Sequence, residues 1–186
     1  MRKNLGPKTY LYPMPVLIIG TYDEAGTPDA MNAAWGGISD SNEISIALSI
    51  EHKTVKNLLH TKAFTVSIAN KENVKVSDYV GIVSGNKVPN KLEVAGLHTV
   101  KSEFVNAPVI TEYPMTLECL VKSFNEETGI LTGEIVNISV DEKILDERGH
   151  IDPRKLCPIT YDSVNNRYYT LGEVVGEAFK IGKEVK

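Results

Sequence analysis

A lysine flanked by hydroxyls is the sharpest chemical signal in this chain. It lies in Ser49-Ile50-Glu51-His52-Lys53-Thr54, where an Ile-rich apolar run from Glu43 to Ile50 gives way to Val55, Leu58 and Leu59. Those last three fall at i, i+3 and i+4, the spacing of one helix face, so a strand is expected to empty into a helix over Lys53 to Thr61. A helix start offers unpaired backbone N–H groups and the positive end of its dipole. With Ser49, Lys53 and Thr54 added, the junction suits a phosphate. The plainer reading is an N-cap by Thr54 beside a solvated Lys53. A second candidate is Val80-Gly81-Ile82-Val83-Ser84-Gly85-Asn86-Lys87, a glycine-bearing loop that ends in a lysine. Ser84, Gly85 and Lys87 make either a surface turn or a second anion contact, because glycine lets backbone N–H groups approach a ligand.

Around these lie the elements that must hold them. Val16 to Ile19 is a run buried on both faces, so Pro15 to Thr21 is expected to be a strand. Tyr22 to Asp29 reads as a hairpin loop, and Ala30 to Ser39 as the returning strand. Further strands are expected at Glu43–Ser49, Phe64–Ala69, Pro114–Phe124 and Ile130–Val140, with a short last one at Tyr168-Tyr169-Thr170. Lys71 to Tyr79 suits a short helix, and Lys91 to Val100 has no decisive pattern. Residues 1–14 read as an N-terminal arm on one unit spanning residues 1–186. Many short strands with few brief helices predict a mainly β fold, a barrel or sandwich.

Composition excludes several classes. The net charge of −4 lacks the basic field of a general nucleic-acid binder. No run of 18 apolar residues predicts a membrane span. The apolar part of the N-terminus is broken by Pro13 and Pro15, so no signal peptide is expected, and Cys119 and Cys157 are expected to be reduced thiols of a cytoplasmic protein. The G-x-G-x-x-G fingerprint is absent, the four histidines lack metal spacing, and neither cysteine is flanked by signs of activation. Cys119 alternates within a strand and reads as a small core residue. Trp35, the only tryptophan, is either a core anchor or the wall of an aromatic cofactor beside Asn32 and two glycines.

Four stretches together resemble the flavin reductase-like family, and within it the flavoredoxin type. They are Met31-Asn32-Ala33-Ala34-Trp35, Ser49 through Asn57, Asp78 through Lys87, and the ending Tyr168-Tyr169-Thr170-Leu171-Gly172-Glu173. The resemblance implies an FMN-binding split β-barrel, a homodimer with flavin near the subunit interface, and flavin-dependent electron transfer. It implies a cofactor-binding set of Asn32, Ala33, Ala34, Trp35, Leu48, Ser49, Lys53, Thr54, Asn57, Ser84, Gly85 and Lys87. No catalytic acid or base is expected, since the flavin carries the redox chemistry. The leading expectation is an oxidoreductase passing electrons from NAD(P)H through FMN to an acceptor. The alternatives are an electron carrier serving a redox partner protein and a non-catalytic FMN binder. Without a fingerprint for a second nucleotide, the nicotinamide is expected to stack transiently, with modest choice between NADH and NADPH. Arg148, Arg154 and Arg167 all lie in turn-like segments.

Overall fold

In a computed structural model that describes residues 1–185, the chain forms twelve strands and four short α-helices. In order they are β1 (Met14–Pro15), β2 (Leu17–Tyr22), β3 (Pro28–Ala33), β4 (Gly36–Asp40), β5 (Glu43–Ala47), α1 (Lys53–Thr61), β6 (Ala63–Ile68), α2 (Val74–Ile82) and α3 (Lys91–Val94). There follow β7 (Thr99–Lys101), β8 (Pro108–Ile110), β9 (Met115–Asn125), β10 (Ile130–Val140), α4 (Pro153–Leu156), β11 (Ile159–Asp162) and β12 (Arg167–Thr170). The bounds of α1 and β10 are those the sequence predicts.

Seven strands make one antiparallel sheet in the order β3-β2-β6-β9-β10-β5-β4. Its two edges are consecutive in the chain. The expected single strand from Ala30 to Ser39 is therefore two, β3 and β4, which leave one edge and begin the other at Ala34 and Trp35. The sheet curls to permit this. The Leu17 side chain of β2 lies so close to Gly36 of β4 that a Cβ there would sit 3.0 Å from it. This is the split-barrel fold.

Alternation from Val16 into β2 divides these side chains between two cores, as a run buried on both faces requires. Leu17 and Ile19 join Ile46, Phe64, Leu117, Cys119 and Leu131 inside the curl. Val16 and Ile18 join Ala30, Val80, Leu92 and Ile110 under α2 and α3. Burying each of the large side chains contributes roughly 1.5–3 kcal/mol. Cys119 is wholly buried, as expected of a small core residue, and burial pushes its thiol up to about 12.

The remaining differences from expectation have local causes. The second helix runs Val74–Ile82 rather than Lys71–Tyr79, because Asn70 turns the preceding residues by accepting from the Asn73 N–H. Val80 to Ile82 therefore belong to α2, and the glycine-bearing loop shortens to Val83–Lys87. Lys91 to Val100, undecided by its pattern, splits into α3 and the start of β7. The arm ends at Pro13, because Met14 already pairs with Tyr161 of β11. Among the described residues, no helix is long and apolar enough to cross a membrane.

Candidate functional site

The start of α1 is uncapped by any side chain. Its N-cap is His52, not Thr54 as the plainer reading had it, and His52 makes no capping bond. Thr54 instead donates its hydroxyl to Asp29 Oδ2 at 3.2 Å. The His52 carbonyl accepts from Val55 and Lys56, and the N–H groups of Lys53 and Thr54 donate to no other described residue. Two backbone donors at the positive end of a nine-residue helix thus remain free. Val55 and Leu58, both fully buried, hold this helix on the barrel.

These donors open into a cleft of about 180 Å³ whose far wall is Val83-Ser84-Gly85-Asn86. The two stretches singled out by sequence are therefore brought together. The floor is the buried pair Asp29 and Lys91, with side chains 1% and 3% exposed and 3.3 Å apart. The Lys91 ammonium also donates to the carbonyls of Val83 (3.1 Å) and Val80 (3.4 Å). Burial pulls its pKa down and Asp29 opposes the shift. Asp29 Oδ1 has no well-aligned hydrogen-bond partner among the described residues and meets Lys91 as an ion pair. Gly85 must be glycine for space, because a Cβ there would lie 2.5 Å from Asp29 Oδ1. At the rim, Lys53 pairs with Asp23 at 3.2 Å. Burial works against the Asp23 carboxylate, yet the Thr27 N–H and Lys53 hold it below its ordinary range.

A second cavity, of about 340 Å³, adjoins this cleft and shares Gly81 and Ile82 with it. Asn32, Ala34, Asp78, Tyr161 and Tyr168 contribute to its walls. Tyr168 donates to Asp78 Oδ1 at 2.8 Å, and burial together with that bond raises its phenol pKa. A third groove, of about 500 Å³, shares Ala34 with the second and runs between the arm and Trp35-Gly36. A phosphate-sized cleft thus leads stepwise into an aromatic cavity and then an open apolar groove.

The other expected site residues scatter. Ala33 and Leu48 are buried in the barrel core. Asn57 is buried and donates to Thr21 at 3.1 Å, so it holds α1 on β2 and does not line the cleft. Ser49 is exposed outside the cleft, where it accepts weakly from the Glu51 N–H. Lys87 is also exposed outside it, and the lysine that the fold delivers there is Lys91, four residues further on at the start of α3. Trp35 is 56% exposed, which removes its core-anchor reading and leaves it on the arm groove. Asp29, Lys91, Asp78 and Tyr168 were not singled out as site residues by type and spacing. Asp29 ended an apparent hairpin loop, and Lys91 opened the patternless segment, where a four-residue helix is too short to show a period.

This curled antiparallel sheet and its anion-ready cleft define a flavin reductase like domain. The chain matches that family over residues 9–170 and belongs to it. Among solved structures it is similar to the flavoredoxin of Desulfovibrio vulgaris (Miyazaki F), with 37% identity and a TM-score of 0.94 over 98% of this chain and 100% of that one. It is also similar to the flavoredoxin from Methanosarcina acetivorans, with 27% identity and a TM-score of 0.90 over 100% of both chains. Among curated relatives, the uncharacterized protein YdfE of Bacillus subtilis (strain 168) is 24% identical, the match covering 96% of this chain and 93% of that protein.

Proposed function

We propose that the chain binds FMN and passes electrons from NAD(P)H through it to an acceptor. The observation that carries this reading is the convergence of the uncapped α1 start, the Ser84–Asn86 loop and Lys91 on one cleft. The free N–H groups of Lys53 and Thr54 would hold the phosphate, with Lys53 and Lys91 balancing its charge. Thr54 Oγ1 already donates its proton to Asp29, so that hydroxyl serves to orient Asp29 rather than to bind the anion. The second cavity and the Ala34–Trp35 backbone would receive the ring system. When bound, FMN supplies the one- and two-electron chemistry that no side chain of this chain can.

The chain's own part is to bind, orient and leave one face reachable. Arg154 is already tied to Asp152 by two side-chain bonds, so it is not free to select the extra phosphate of NADPH. With no glycine fingerprint to hold a second nucleotide, modest discrimination between NADH and NADPH is expected. The test is anaerobic stopped flow on FMN-loaded protein, where bleaching by either nicotinamide within minutes is expected. If dithionite bleaches the flavin and neither nicotinamide does, the electron-carrier reading replaces this one. That second reading draws support from the 37% identity with a flavoredoxin over nearly the whole chain.

The same reading extends to a homodimer in a reducing cytoplasm. Leu11, Trp35 and Ile38 are exposed around the arm groove and the β4 edge, an apolar surface suited to a second copy. Cys119 and Cys157 are free thiols. Light scattering of the FMN-loaded protein is expected to give twice the 20.5 kDa chain mass. A monomer mass at micromolar concentration would refute the dimer.

A further inference from the structure

The cavity beside the phosphate cleft has a chemical character of its own. Among the described residues, its walls carry one carboxylate, Asp78, and no Lys, Arg or His. Tyr168 occupies Asp78 Oδ1, and no other described residue bonds to Oδ2. Asn32 donates one amide N–H to the Ser77 carbonyl at 3.1 Å, and no described residue donates to its side-chain oxygen. The rings of Tyr161 and Tyr168 stand 5.8 Å apart at 47°, a tilted aromatic wall. Tyr161 in turn is fixed by its own bond to Asn166. Asp78 Oδ2 and the Asn32 oxygen are thus free acceptors beside the two rings; the amide N–H groups of Asn32 and Asn166 are the neutral donors on the same walls, and no cationic side chain among the described residues balances an anion there.

The scaffold keeps these groups in place. Asp78 and Gly81 lie on α2, and a Cβ on Gly81 would come within 2.9 Å of Asn32 Cβ, so α2 is seated directly on β3 at this point. Tyr161 and Tyr168 come from the separate β11–β12 ladder, where they are paired in register. Tyr168 is thus the tie between that ladder and α2.

We propose that Asp78, braced by Tyr168, is a specificity-determining residue of this cavity: it accepts a ring N–H from a neutral planar heterocycle. The inference rests on the flavin reading and deepens it. An isoalloxazine offers one such donor, its N3–H, and a ring methylated at N3 offers none. A carboxylate acceptor strengthens the bond well beyond a neutral one, and a desolvated carboxylate facing a methyl group is penalised in addition.

The test uses flavins without a phosphate, so that the neighbouring cleft takes no part. Lumiflavin and N3-methyl-lumiflavin are titrated into the full chain by fluorescence quenching, with FMN in parallel. The unmodified protein is expected to bind lumiflavin about ten- to hundredfold more tightly than its N3-methyl derivative, the worth of one charge-assisted hydrogen bond. Asp78→Asn, of the same shape, is expected to lose most of that ratio. Tyr168→Phe, which frees Oδ1 but unties Asp78, is expected to reduce it less. Because the readout is a ratio of two ligands on one protein, a general loss of stability does not imitate it. If FMN binds but N3-methylation costs nothing, the role of Asp78 is overturned and the flavin reading stands. If the ratio is large and survives Asp78→Asn, the donor is read elsewhere and the proposal is equally overturned. If the chain binds neither FMN nor lumiflavin, the flavin reading falls and this inference with it.

Discussion

Replacing Lys91 by Met removes a buried charge at the floor of the cleft while keeping an unbranched apolar stem. The loss falls on three partners at once. Asp29, 1% exposed, keeps only the Thr54 hydroxyl, and the Val80 and Val83 carbonyls lose their ammonium donor. Breaking one side of a buried ion pair costs about 3–5 kcal/mol, because the other charge is left uncompensated. At roughly 2–4 °C per kcal/mol for a chain of this size, the melting temperature should fall by about 6–20 °C. The double variant Asp29→Asn/Lys91→Met removes the stranded charge, and should recover roughly 0.5–3 kcal/mol of that loss as coupling between neighbours. Binding should separate from stability. Lys91→Met should lose preference for FMN over riboflavin by about ten- to hundredfold, since the phosphate alone distinguishes the two ligands, and the double variant, which leaves the net charge of the cleft unchanged, should lose less. Thermal unfolding and flavin titration of the three proteins provide both readouts. A fall in melting temperature below ~2 °C would contradict the burial of the pair. An unchanged FMN to riboflavin ratio would leave Lys91 as scaffold alone.

Three further outcomes are expected. Lys53→Ala should weaken FMN by about tenfold and riboflavin hardly at all, the low end of the range because Asp23 already shares the lysine's charge; equal loss for both flavins in parallel titrations would remove Lys53 from the phosphate site. Gly133→Ala should destabilise by at least ~1–3 kcal/mol in urea unfolding, because a Cβ would be driven into the fully buried ring of Phe64; a neutral result would contradict the packing of β10 on β6. The hydrogen bonds from Tyr12 and Asn165 hold the Asp162 carboxyl down to about 2. Because its folded pKa lies below the unfolded value, its contribution is complete above the ordinary carboxylate range and lost as pH falls through about 2. Hydrogen-exchange protection of the Met14 N–H beside the arm, corrected for intrinsic exchange, should therefore fall between pH 4 and pH 2, and Tyr12→Phe should show lower protection already at pH 4; protection that is flat over this range would refute the role of Asp162.

Local periodicity carried far along this chain. The i, i+3, i+4 spacing of Val55, Leu58 and Leu59 and the long alternation around Cys119 are properties of neighbours in sequence, so α1, β9 and β10 were legible from residue type alone. The run Val16–Ile19 announced burial on both faces, and the two hydroxyl- and glycine-bearing stretches announced an anion site. What tertiary structure decided is which of these residues meet. The break at Ala34 and Trp35 exists because one stretch must serve both edges of a curled sheet, and no local preference encodes that closure. Thr54 was available to cap α1, but Asp29, 25 residues away in sequence, takes its hydroxyl. Lys87 had the better sequence context, yet Lys91 is the lysine buried against Asp29, because long-range packing of α3 on β3, the strand that carries Asp29, places it there. Asp78 and Tyr168, 90 residues apart, share a cavity wall only once the β11–β12 ladder is laid against α2. Residue types and their spacing determined the chemistry on offer, and the long-range contacts determined which atoms supply it.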